Sequence, residues 1–158
     1  TDYNMGYIND LRKYVGHAPL VHTCASVIAV NSDNEILLQK RSDNGLWGYC
    51  GGALELFETA EQAAARELAE ESGLEAHELE LFGVYSGEEQ HFIYPNGDEV
   101  WTVDIVYVCR SFSGELEAVD GESAELKFVP INDVENYPLN PPVRKPLLDF
   151  INKMKGAY

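Results

Sequence analysis

GALELFETAEQAAARELAEESGL, residues Gly52 to Leu74, is the stretch on which the fold turns. Thr59 suits a helix N-cap and Gln62, three positions on, can reach back to it, while Gly73 suits a C-terminal stop. A helix is therefore predicted over about Ala60 to Ser72. On it Glu67, Glu70 and Glu71 stand at i, i+3 and i+4, so all three project from one face. Taken alone, three like charges in such a row are ordinarily a solvated acidic surface.

The flanking spacing gives them another meaning. Reading outward, the chain runs Gly52, five residues, Glu58, seven residues, Arg66-Glu67-Leu68, one residue, Glu70-Glu71, one residue, Gly73-Leu74. This fills every fixed position of the Nudix box, G-x5-E-x7-R-E-U-x-E-E-x-G-U with U aliphatic, and on these residues the chain resembles the Nudix hydrolases. A frame of that length is far more specific than a short glycine motif.

The resemblance implies an α/β fold, the α/β/α sandwich of that family built on a mixed β-sheet, with the box as a loop, a helix and a second loop in one domain over residues 1–158. It implies that Glu67, Glu70 and Glu71, with the Gly52 carbonyl, hold Mg²⁺ or Mn²⁺. The chemistry agrees, because carboxylate and carbonyl oxygens are hard ligands and magnesium shares its remaining positions with water and substrate phosphate. Arg66 lies one turn before Glu70, and Glu58 lies where the positive end of the helix favours an anion, so both would orient the ligands.

The implied reaction is hydrolysis of a diphosphate linkage in a nucleoside diphosphate derivative or a nucleoside triphosphate. Its general base would be Glu67 or Glu70 of the box, or Glu122 from the later acidic loop DGESAE, with Glu125 next. The alternative is a Nudix-fold module that senses a nucleotide or nucleotide-sugar without turnover. Retention of every box carboxylate favours the enzyme. An acidic calcium buffer ranks last, because no EF-hand loop is present.

Two departures accompany the match. Many relatives carry proline before the paired glycines where this chain has Cys50, whose best reading is a small buried residue. About sixteen residues past the box some subfamilies carry a proline for ADP-ribose or a tyrosine for dinucleoside polyphosphates, and here that place is Gln90. No nucleotide specificity is supported by it.

Composition narrows the partners. With 27 acidic and 11 basic residues the formal charge is −16, a field that repels nucleic acid polymers. A small polyphosphate can still bind if metal reverses the sign locally. No apolar run is long enough to span a bilayer and no secretory signal pattern opens the sequence, so a soluble cytoplasmic protein is expected. Cys24, Cys50 and Cys109 form no C-x-x-C pair and are read as reduced thiols.

Outside the box, periodicity predicts a short leading helix over about residues 4–15. Strands follow at Leu20 to Val30 and Ile36 to Gln39, which the intervening SDNE turn would join as a buried hairpin. Further strands are expected at Leu79 to Tyr85, at Phe92 to Tyr94 and Val100 to Cys109 as a hairpin, and within Glu122 to Pro130. A closing helix is expected from Val143 to Met154. The leading helix and the Pro-Asn-Gly-Asp hairpin tip are the surfaces through which a homodimer would form.

Overall fold

A computed structural model describes residues 6–118, 121 and 123–156. The order is α1 (Tyr7–Val15), β1 (Leu20–Ala29), β2 (Glu35–Arg41), β3 (Trp47–Gly48), β4 (Cys50–Ala53), α2 (Ala60–Ser72), β5 (Glu75–Tyr85), β6 (His91–Ile93), β7 (Glu99–Ser113), β8 (Ser123–Pro130) and α3 (Pro141–Met154). Short 3₁₀ turns cover Glu88–Gln90 and Ile131–Asn136.

The strands form two sheets. One has the order β4-β1-β7-β5, with β6 added to β7; the other runs β3-β2-β8. In the first, β1 lies parallel to β7 and antiparallel to β4, so the sheet is mixed. The hairpin expected between β1 and β2 does not form, since the only pairing at that turn is the isolated bridge of Val30 with Ile36. Each strand is taken on both sides by other partners, β1 by β4 and β7, β2 by β3 and β8, which leaves no edge for the two to share.

Despite the break, the two sheets make one layer. Along β1 and β2, Ile28, Val30, Ile36 and Leu38 turn to one side and join Val106, Leu147, Phe150 and Ile151, the last three from α3. Ala25, Val27, Ala29 and Leu37 turn to the other side and meet Ala63, Ala64 and Leu68 of α2. Strand alternation with both faces buried gives the near-continuous apolar runs seen in the sequence. The result is the α/β/α sandwich, with α2 and α3 on opposite faces.

The α1 helix is different, for none of its described residues is buried. Arg12 fastens its C-terminal end by donating to the carbonyls of Gly16 at 3.0 Å, Ala18 at 2.6 Å and Glu99 at 2.8 Å. The β6–β7 hairpin forms as its sequence predicts, with Gly97 at φ +94° in the turn. Among the described residues no helix is long and apolar enough to cross a membrane.

Candidate active site

The box helix is fixed at both ends by local chemistry. Thr59 Oγ1 accepts from the Gln62 backbone N–H at 3.1 Å, and Gln62 Oε1 accepts from the Thr59 N–H at 3.0 Å, completing the capping box. Gly73 closes the other end at φ +79°, and its N–H donates to the Ala69 carbonyl. Packing of Ala63, Ala64 and Leu68 on the sheet sets the rotation of α2, and that rotation turns Glu67 and Glu71 toward β4.

Glu71 is buried there. Its Oε1 accepts from the Gly51 backbone N–H at 3.1 Å and its Oε2 accepts from the Gln39 amide. Gln39 also donates to the Tyr49 carbonyl at 3.3 Å, and its own Oε1 accepts from the Ser123 hydroxyl. Glu67 lies against Gly52, where a Cβ would stand 2.5 Å from Glu67 Oε1, so only glycine leaves that space. Glu67 and Glu71 are hydrogen-bonded to each other, and burial pushes both carboxyls above the usual carboxylate range, Glu71 well above.

Arg66 organises the outer side. Its Nε and Nη2 donate to the two oxygens of Glu58 at 2.6 and 2.9 Å, its Nη1 donates to Glu67 Oε1 at 2.9 Å and Glu70 Oε2 at 3.2 Å, and Nη2 also reaches the Ala53 carbonyl at 3.1 Å. The guanidinium's hydrogen bonds hold the Glu58 carboxyl below its ordinary range. Glu58, two positions before the helix begins, is thus brought to the same cluster as Glu67 and Glu70.

The three helix glutamates do not share one position. The side chain of Glu70 is 51% exposed whereas that of Glu67 is 13% exposed. Arg66 draws Glu70 along the outside of the helix instead of toward Glu71, and among the described residues no three His, Cys, Asp or Glu side chains converge as a chelating group. Glu122 lies outside the described residues. Glu125 is exposed and ion-pairs with Lys127 at 3.5 Å.

A divalent cation suits this donor set. The Glu71 carboxyl is buried and the mostly buried Glu67 carboxyl is hydrogen-bonded to it beside Gly52, so two hard oxygen donors stand where a cation can take the place of a carboxyl proton.

Sequence reasoning missed the polar network under the box loop. Asp104 is buried on β7 and accepts from Ser26 Oγ at 2.7 Å and from Tyr49 Oη at 2.8 Å, tying the loop before Gly51 to the central strands. Burial raises the Asp104 carboxyl. The signal was legible: Asp104 is the one charge within the apolar run from Val103 to Cys109, as Gln39 is the polar residue closing ILL. Cys50 is buried as expected, and burial pushes the Cys24 thiol well up, away from nucleophilic use. His22 packs beside that thiol, its Nδ1 at 3.6 Å from Cys24 Sγ.

The aromatic residues divide. Trp47 is in the core, edge-on to Tyr137 at 5.1 Å, while Phe92 packs on Tyr94 and His91 on Trp101 at the hairpin. Two surface concavities flank α3, one lined by Phe82, Val108, Phe150 and Met154, the other by Glu88, Arg144, Lys145 and Asp149; their linings include no box residue.

Comparison with known proteins agrees with the geometry. The model of the NUDIX domain matches residues 20–150. The chain belongs to the Nudix hydrolase family. This Nudix chain is 35% identical over 129 residues to an ADP-ribose pyrophosphatase of Methanocaldococcus jannaschii, covering 79% of the chain and 70% of that relative. It is 33% identical over 116 residues to a MutT-like protein of Streptomyces ambofaciens, covering 73% of the chain and 68% of the relative. The crystal structure of a MutT NUDIX hydrolase from Burkholderia pseudomallei superposes with a TM-score of 0.68 at 28% identity, over 82% of this chain and 97% of that one. As a Nudix hydrolase the chain is an enzyme, and its box stands where the fold presents it, at the β4 edge between α2 and the sheet.

Proposed function

We propose that this Nudix hydrolase cleaves the diphosphate linkage of a nucleoside diphosphate derivative or nucleoside triphosphate in a reaction that depends on Mg²⁺ or Mn²⁺. The observation that carries the reading is the pair of Glu67 and Glu71, hydrogen-bonded to each other and set against the Gly51-Gly52 backbone. Glu67 and Glu71, with the Gly52 carbonyl, would hold the cation, and Glu70, kept outside the pair by Arg66, would stand at the rim of the same site. When bound, the cation would neutralise the diphosphate and lower the pKa of an attacking water.

The chain's own residues do the rest. Gln39 and the Gly51 N–H fix the orientation of Glu71, and Arg66 fixes Glu67 and Glu70. Glu70, the most exposed of the three glutamates, is the general base of this proposal, because its carboxylate can reach water at the rim of the site. A formal charge of −16 makes the cation necessary for a polyanionic substrate. The similarity to an ADP-ribose pyrophosphatase and a MutT-like protein supports a small nucleotide-type substrate.

The experiment is a screen of ADP-ribose, dinucleoside polyphosphates, nucleotide sugars and nucleoside triphosphates, including oxidised ones, with Mg²⁺ or Mn²⁺, measuring released phosphate and pyrophosphate. Glu70→Gln and Glu71→Gln are expected to abolish nearly all release from whichever compound the wild type cleaves. Near-normal turnover in both variants overturns the assignment. Glu122→Gln is the comparison for the base: full activity there keeps the role within the box, and loss equal to that of Glu70→Gln moves it to the later loop.

A further inference from the structure

The loop between Gly52 and Glu58 is held from a direction the box does not account for. The backbone N–H of Tyr7, at the start of α1, donates to both carboxylate oxygens of Glu55, at 3.2 Å to Oε1 and 3.0 Å to Oε2. The N-cap of α1 is Gly6, which supplies no side-chain cap of its own, so Glu55 serves as the cap from 48 positions away. Gly6 also makes room for it, since a Cβ there would stand 2.9 Å from Glu55 Oε1.

From Glu55 the contacts lead into the carboxylate cluster. The Glu55 N–H donates to Glu58 Oε1 at 2.8 Å, and the Glu58 N–H donates back to the Glu55 carbonyl at 3.2 Å. Both oxygens of Glu58 accept from Arg66, which in turn holds Glu67 and Glu70. Four links therefore join the first turn of α1 to two of the glutamates on α2.

The turn between Glu55 and Glu58 has little else to hold it. Leu56 is 65% exposed and Phe57 103% exposed, so neither anchors the loop by burial. Phe57 sits at φ +69°, a left-handed conformation that a bulky residue adopts only when its surroundings impose it. The loop is thus an unburied, strained turn fixed at its two ends, at one by Arg66 through Glu58 and at the other by α1 through Glu55. The α1 helix itself buries none of its described residues, so its contribution to the core is small.

We propose that Glu55 is a positioning residue, which uses the N-terminus of α1 as a brace to hold Glu58 and Arg66 where they orient Glu67 and Glu70. The proposal rests on the reading that Glu67 holds a divalent cation and that Glu70 serves the same site. Glu55 itself touches neither cation nor substrate; it acts through the loop. Losing the brace frees the turn to relax at Phe57, loosens Glu58 and lets Arg66 swing with it, so the carboxylates are less well ordered for a cation.

The test uses the full chain with Glu55→Ala, Glu55→Gln and Gly6→Val, the last leaving Glu55 in place but crowding it off Tyr7. Mn²⁺ affinity is measured without substrate by the electron paramagnetic resonance signal of free Mn²⁺, alongside the thermal midpoint and the kinetics on the cleaved nucleotide. Glu55→Ala and Gly6→Val are expected to weaken Mn²⁺ binding about tenfold, the low end for groups that orient metal ligands from outside. Glu55→Gln, whose amide oxygen can still accept from Tyr7, is expected to recover most of the affinity. Mn²⁺ binding within about twofold of wild type in both Glu55→Ala and Gly6→Val overturns the proposal, whatever their thermal midpoints, because α1 would then only add stability. Intact Mn²⁺ binding by a wild type that cleaves no nucleotide overturns the hydrolytic reading alone, and the comparison of variants still decides the role of Glu55.

Discussion

Gly52 meets the carboxylate of Glu67 so closely that a methyl group on the glycine would stand 2.5 Å from Glu67 Oε1. The atom in the way is the end of a side chain, so Gly52→Ala moves Glu67 and leaves the backbone where it is. If Glu67 serves the proposed cation site, turnover is expected to fall at least about tenfold, with a thermal midpoint changed by no more than about 3 °C. Gly51→Ala is the contrast. There the new Cβ would stand 2.9 Å from the Cα of Ser26, which cannot yield, and overpacking of about 1–3 kcal/mol is expected in a denaturant titration.

The Glu67–Glu71 pair gives a pH dependence. Burial raises both folded-state carboxyl pKa values above the ordinary 4.5. A carboxyl with a raised folded pKa binds its proton more tightly when folded, so its contribution is fully present below about pH 4.5 and is lost as the pH climbs through the folded value. In EDTA, wild type is therefore expected to lose stability relative to Glu71→Gln as the pH rises above about 4.5. Added Mg²⁺ should restore the wild type and leave the variant nearly unmoved. Parallel wild-type and variant curves in differential scanning fluorimetry would refute this.

Gln90 occupies the place where some relatives carry a specificity-marking proline or tyrosine, yet its side chain is buried and its Nε2 donates to the Pro142 carbonyl at 2.8 Å. It fastens the Glu88–Gln90 turn to the first turn of α3. Gln90→Ala leaves that carbonyl without its donor and opens a void, costing about 2 kcal/mol in chemical denaturation. Gln90→Pro also removes the N–H that donates to the Gly87 carbonyl at 3.0 Å, so it is expected to destabilise further and not to create ADP-ribose activity.

Phe57 is fully exposed at φ +69° and gains nothing from burial. Glycine removes the left-handed penalty of about 1–2 kcal/mol but adds freedom to the unfolded chain. Phe57→Gly is therefore expected to be stabilising by up to about 1 kcal/mol, a rise of some 2–4 °C in midpoint. A loss of stability would mean that the aromatic ring supports the turn.

What the sequence could and could not announce follows from the range of each interaction. The α2 boundaries, the Thr59–Gln62 cap and the Gly73 stop depend on neighbours within four residues, and these were legible. So was the ion pair between Arg66 and Glu70, one turn apart. The divergence of β1 and β2 was not, because an apolar strand followed by a polar turn reads the same whether the next strand folds back or joins another sheet. Gln39 and Asp104 each stood out as a polar residue in an apolar strand, but their partners Glu71 and Tyr49 lie 32 and 55 positions away. The brace from Tyr7 to Glu55 depends on a backbone N–H, which leaves no trace in residue identity.

The parallel pairing that begins with Leu20 against Val100 has a consequence for how the molecule comes into being. As the chain leaves the ribosome, β1 emerges long before β7, and no local hairpin with β2 is there to shelter it in the interval. The box helix can coil early, but the surface on which Ala63, Ala64 and Leu68 rest is incomplete until Tyr107 and Cys109 arrive. Assembly of the box corner is therefore expected late in biogenesis, after closure of a loop of some eighty residues between β1 and β7. A nascent chain halted before β7 would carry every glutamate of the box and still lack the floor that aims them.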